Sequence, residues 1–233
     1  MHELGPRFER ATGYTLAIAS TTLGAIVKRV QDGERCDVVL GPRTAMDGFV
    51  QDGRAFADSL TVVARSLMSV AVREGAPKPD ISSLAAFRRA LLAARSIAYP
   101  DPGNPLSNVA LGIHFAQVID RLGITGEMKP RTVFSRTADI GELVANGDAE
   151  IGISQRQSLM RFAGIHIIGA LPADLQYEVA FAAVILDCAS DYAASKALVE
   201  FLRTPDAAVA IRAAGMEPVS PGKVIRDAGI GVQ

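Results

Sequence analysis

The feature that most constrains this chain's fold is a short apolar run, CDVVLG (36–41), set between two segments of helical periodicity. A strand that is apolar on both faces must be covered on both, as happens in a sheet sandwiched by helices. Ahead of it Leu23, Ile26, Val27 and Val30 share one helical face, ended at Asp32-Gly33. After it Met46, Phe49 and Val50 do the same, ended at Asp52-Gly53. Upstream, Leu4, Phe8 and Ala11 mark a first helix stopping at Gly13, and YTLAIAS (14–20) reads as a strand. Alternations of this length imply right-handed βαβ crossovers and a parallel sheet.

The run SLMSVAVREGAPKPD (66–80) reads as a strand that leaves this sheet and enters a proline-bearing loop, a first crossing between lobes. Ser82 or Ser83 caps the next helix, which turns Leu84, Phe87 and Leu91 inward. A second αβ set follows: strand SIAYP, a helix from Ser107 to Leu122, strand RTVF, a helix around Ile140 to Val144, and strand AEIGIS. YEVAFAAVIL (177–186) reads as an extended return strand. The last third is helical, with Thr204-Pro205 as a start signal and Leu198, Phe201, Leu202, Val209 and Ile211 as its apolar positions. The expected fold class is therefore α/β and two-lobed, with a parallel or mixed sheet flanked by helices in each lobe. Residues 1–73 plus 184–233 form one lobe and 74–183 the other, and a ligand cleft lies between them.

Three strand-to-helix junctions have the composition of an oxyanion cradle. In ASTTLGA, Ser20, Thr21 and Thr22 open a helix, whose unpaired N–H groups and dipole attract anions. In YPDPGNPLSNVALG, two prolines and a glycine break regular structure before Asn104, Ser107 and Asn108. In FSRTADIGEL, Ser135, Arg136 and Thr137 precede another helix, and an arginine there can pair with an oxyanion bidentately. Ser154 and Gln155, in GISQRQS, end a predicted strand within reach of the same cleft. Each pattern also fits plain helix capping or a solvated surface arginine. Their recurrence at carboxyl ends of strands is what favours a binding reading.

Other functions find less support. A formal charge of −1, with 24 basic and 25 acidic residues, gives no field for nucleic acid. Three isolated histidines and two distant cysteines, Cys36 and Cys188, lack metal-ligand spacing, and buried thiols are favoured over a disulfide. No metal and no cofactor is expected, and no catalytic residue is assigned. His114, Asp101 and Asp139 are the titratable groups that an isomerase or lyase would have to use, although His114 and His166 read as helix-face and strand residues. No apolar run approaches the roughly 20 residues needed to span a bilayer. The opening MHELGPRFERATGY has neither a basic n-region nor an apolar h-region, so the sequence as written implies no export signal.

FERATGYTLAIASTTLGAIVKRVQDGERCDVVLGP (8–42) resembles the first-lobe signature of the molybdate-binding proteins of ABC importers. LGIHFAQVIDRLGI, ELVANGDAEIGISQ, IIGALPADLQ and ALVEFLRTPDAAVAIRAAGMEP resemble successive later segments of that family. The resemblance implies a type II periplasmic-binding-protein fold and a tetrahedral anion held by neutral N–H and O–H donors. It places ligand contacts on Ser20, Thr21 and Thr22, on Asn104 to Asn108, and on Arg136, Thr137 and Ala138. It also implies an ABC permease as partner and a periplasmic location, or a cytoplasmic one if the chain start is genuine. Two departures mark a divergent and apparently N-terminally truncated member. Ser154 and Gln155 stand where the family has a tyrosine, and the chain opens in the first helix rather than in a preceding strand. A cytosolic isomerase or lyase, or a ligand sensor, is the alternative on the same scaffold.

Overall fold

The computed structural model describes residues 3–21, 23–104, 109–134 and 139–219. Elements follow in the order α1 (Leu4–Thr12), α2 (Leu23–Gln31), β1 (Val38–Pro42), α3 (Arg43–Gln51) and β2 (Thr61–Arg73). Next come α4 (Leu84–Ala93), β3 (Ile97–Ala98), α5 (Val109–Arg121), α6 (Thr125–Met128), β4 (Thr132–Val133) and α7 (Ile140–Asn146). The chain continues through β5 (Ile151–Gln155), α8 (Arg156–Leu159), β6 (Ile165–Ala170) and β7 (Glu178–Ile185). It closes with α9 (Tyr192–Phe201), α10 (Pro205–Ala213) and β8 (Glu217–Pro218). Two compact units result, residues 1–65 with 179–233 and residues 66–178, and the long strand β2 runs from one into the other.

In the first unit β7 lies between β1 and β2, and β8 pairs with the start of β2. Period-two alternation along β7 sends Ala183 and Ile185 into a cluster with Phe8, Leu198, Phe201 and Ile211. Ala182 and Val184 go into a second cluster with Val39, Met46 and Phe49. The sheet is thus covered on both faces, as CDVVLG requires. Its strand direction differs from the expectation, because β1 pairs antiparallel with β7, Val38 opposite Ile185. The partner of CDVVLG is the returning strand, a pairing set across about 150 residues of chain that local alternation does not encode.

YTLAIAS is a second correction. Residues 14–20 form no ladder and are exposed apart from the half-buried Leu16. The Leu16 N–H is taken by the Glu9 carboxylate at 2.8 Å, so a side chain satisfies the donor that a neighbouring strand would otherwise accept. Local stop signals behave as read. Gly13 ends α1 in the left-handed region at φ 78°, and Thr204 caps α10 with Pro205 at its first position.

The second unit holds the parallel pairing. β3 runs parallel to both β5 and β4, in the order β5-β3-β4, while β2 is antiparallel to β5 and β6. Its core contains an aromatic cluster: Phe87 meets Phe115 edge-on at 6.4 Å, and Tyr99 meets Phe115 at 5.0 Å. Ser83 caps α4 through the Ala86 N–H, and Phe87 and Leu91 are fully buried. Leu84, expected inward, is exposed because it starts the first turn, ahead of the buried stripe.

Candidate functional site

Parallel pairing fixes where the loops of the second unit emerge. Ile97 lies opposite Ile151 and Thr132, and Ala98 opposite Gly152 and Val133. Three neighbouring strands therefore release their carboxyl ends at one edge of the sheet, where open α/β sheets carry their ligands. The segment after β3 leads to Asn104, the segment after β4 begins at Phe134, and β5 ends in Ser154 and Gln155. Tyr99 and Phe134 touch edge-on at 5.1 Å, which joins the first two segments directly.

The loop after β3 is held rigidly. Asp101 accepts the Gly103 N–H on its carboxylate at 2.8 Å and the Asn104 N–H on its carbonyl at 3.3 Å. Behind it Gly112, in α5, approaches so closely that a Cβ there would stand 2.3 Å from the Pro100 carbonyl oxygen. Only glycine lets the helix lie against the loop at that distance. Burial pushes the Tyr99 hydroxyl above its usual pKa, Asp101 adds to the effect, and a hydrogen bond with Thr132 opposes it.

Ser154 and Gln155 are buried in β5. Ser154 lies directly opposite Ser69 of β2, so the two side chains share one face of the sheet. Two residues earlier on that face, Gly152 packs under Ile140 and Val144 of α7, which places Ser154 just past the start of that helix. Ser69 is fully buried, and its hydroxyl has no hydrogen-bond partner among the described residues. On the opposite face of β2, the buried Ser66 hydroxyl donates to the Gln157 side-chain Oε1 at 2.5 Å. Sequence reasoning missed Ser66, Ser69 and Gln157; the signal was two serines inside the otherwise apolar strand SLMSVAV.

The other expected residues divide plainly. Ser20 and Thr21 are exposed on the segment that leads into α2, in the first unit. Thr22, Ser107, Asn108, Arg136, Thr137 and Ala138 lie outside the described residues. Among the titratable candidates, the His114 ring nitrogen meets the Leu175 carbonyl at 2.9 Å and its ring lies 4.9 Å from Tyr177, a tether within the second unit. Asp101 is engaged by its own loop. Asp139 is exposed at the start of α7 and makes no side-chain cap there. Among the described residues, no cluster of His, Cys, Asp or Glu is arranged to hold a metal, and no helix is long and apolar enough to cross a membrane.

Comparison with known proteins extends this geometry. The chain is 32% identical over 225 residues to an aconitate isomerase from Pseudomonas sp, covering 94% of this chain and 83% of that relative. It is 26% identical over 224 residues to the molybdate-binding protein ModA of Azotobacter vinelandii, covering 92% and 84% respectively. Its fold matches a solved Clostridium difficile substrate-binding domain, ascribed to a molybdenum ABC transporter, with a TM-score of 0.78. That match has 13% identity and covers 94% of this chain and 93% of the other. The fold is accordingly that of the type II periplasmic binding proteins, a mixed α/β sheet flanked by helices. With residues 1–217 matching its description, the chain belongs to the family of bacterial extracellular solute-binding proteins.

Proposed function

We propose that this solute-binding protein holds a small, multiply charged anion, an oxyanion or a small carboxylate, with neutral hydroxyl and amide donors. The observation that carries the proposal is the parallel order β5-β3-β4, which delivers Asn104, Ser154 and Gln155 to one edge of the sheet. Ser20, Thr21, Thr22, Ser107, Asn108, Arg136, Thr137 and Ala138 are proposed as the remaining contacts. Preorganised dipoles of this kind replace an anion's hydration shell without a countercharge. Likeness to a molybdate-binding protein and to an aconitate isomerase supports a ligand rich in oxygen and negative charge. Delivery to an ABC permease outside the cytoplasm is the accompanying proposal, supported by the family's description as extracellular.

A second reading has one specific observation behind it, the 32% identity to an aconitate isomerase over 94% of the chain. An isomerase that shifts an allylic proton needs a titratable base beside the ligand. Asp139 is the candidate that is exposed and makes no side-chain cap on α7, whereas Asp101 and His114 are already bound to main-chain groups among the described residues.

Calorimetric titration with molybdate, tungstate, sulfate, phosphate, citrate and cis- or trans-aconitate tests the first reading. Proton NMR of the aconitate mixtures tests the second. Saturable 1:1 binding of one anion without interconversion supports the receptor, and interconversion lost in Asp139→Asn supports the isomerase. Heat flow at the level of dilution for every anion removes both.

A further inference from the structure

Cys36 and Cys188 are 152 residues apart in sequence and neighbours in the fold. The Cys188 thiol donates to the Cys36 carbonyl at 3.6 Å, and both side chains are half-buried beside the cluster around Met46 and Phe49. Hydrogen bonds bracket the pair. Just before Cys188, the Leu186 N–H donates to the Asp37 carbonyl at 3.0 Å. Just after it, the Ser190 N–H and hydroxyl donate to the Asp37 carboxylate at 2.6 and 2.8 Å. A turn closed by the Ala189 N–H on the Leu186 carbonyl, at 3.1 Å, folds Cys188 back over Cys36. A disulfide demands a close approach of the two main chains, and the Cys188 sulfur already lies against the Cys36 main chain.

We propose that Cys36 and Cys188 are a thiol pair that closes into an intrachain disulfide when the protein meets a disulfide oxidant, stapling the entrance of β1 to the turn after β7. One thiolate attacks the oxidant's S–S bond and releases one thiol. The second thiolate attacks the mixed disulfide and releases the other, so two protein thiols and one oxidant disulfide become one protein disulfide and two free thiols. The extracellular setting of the family is where such bonds persist. Burial and the neighbouring Cys188 raise the Cys36 thiol above its usual pKa, so closure accelerates as pH rises above neutrality.

The full chain is reduced, freed of reductant, exposed to oxidised glutathione, then unfolded and titrated for thiols alongside intact-mass and peptide analysis. The expected result is no titratable thiol, a mass lower than the reduced chain by two hydrogen atoms, and a peptide joining Cys36 to Cys188. The oxidised chain melts roughly 5 °C or more above the reduced one. In Cys36→Ser, Cys188 instead carries glutathione or remains free. Two titratable thiols after oxidation, two glutathione adducts on one chain, or a disulfide-linked dimer overturns the proposal.

Discussion

Ser69 is a fully buried side chain on β2 whose hydroxyl meets no partner among the described residues, beside Ser154 on the next strand. Burying such a group unpaired costs stability. Ser69→Ala is therefore expected to raise unfolding stability by about 1 kcal/mol in urea, where an ordinary strand serine-to-alanine change has little effect. A loss of stability would mean that the hydroxyl has a partner after all. Asp37 is the opposite case. Its carboxylate is held below the usual aspartate pKa, first by the Ser190 N–H and then by the Ser190 hydroxyl. Because the folded-state pKa is depressed, the stabilisation is complete above the unfolded value near about 4 and disappears as pH falls through the folded value. Asp37 is exposed, so the contribution is discounted to about 1 kcal/mol. Asp37→Ala should lower stability by that amount at pH 7, with the difference from wild type closing as pH falls through the depressed folded-state value in a pH series of urea melts.

At the scale of elements, two contacts hold the loop edge together. α5 lies on the 100–102 segment only because residue 112 is glycine. Gly112→Ala is expected to push helix and loop apart, with a cost of about 1–3 kcal/mol and, where Asn104 is a contact of the proposed anion site, a weakening of binding of tenfold or more. Unchanged stability and affinity would show that the loop is looser than its contacts imply. Gln176 fixes β2. Its amide accepts the Met68 N–H at 2.8 Å and donates to the Met68 carbonyl at 3.1 Å, at the end of the β2–β5 ladder. Gln176→Ala strands the N–H of a residue with no exposure, while the Met68 carbonyl keeps the Leu171 N–H at 3.0 Å, and should cost about 1–3 kcal/mol, read by the same melts. These elements also show what sequence can reveal. Ser83, Thr204-Pro205 and Gly13 act on the three or four residues beside them, so their roles were legible. The partner of CDVVLG, the unpaired state of YTLAIAS and the amide of Gln176 depend on contacts made across more than 100 residues or on a side chain replacing a strand, and periodicity carries neither. At the candidate site, composition pointed to Asn104, Ser154 and Gln155 as proposed contacts. It passed over Ser69, whose position opposite Ser154 exists only in the register of β2 with β5.

At the scale of the whole molecule, the proposed function requires that the native chain has a site for a small anion. Any ligand that binds the folded state alone raises its stability in proportion to the logarithm of its concentration above the dissociation constant. The two units share β2, so unfolding of one is expected to report binding at the other. The most direct measurement is the thermal midpoint of the full chain against concentrations, up to about 10 mM, of molybdate, tungstate, phosphate, citrate and aconitate. Ionic strength is held constant with chloride. At least one of these anions is expected to raise the midpoint by several degrees, climbing with log concentration, and Gly112→Ala to shift the curve to higher concentration. A midpoint that stays flat for every anion, or rises equally with chloride, would contradict the proposed function.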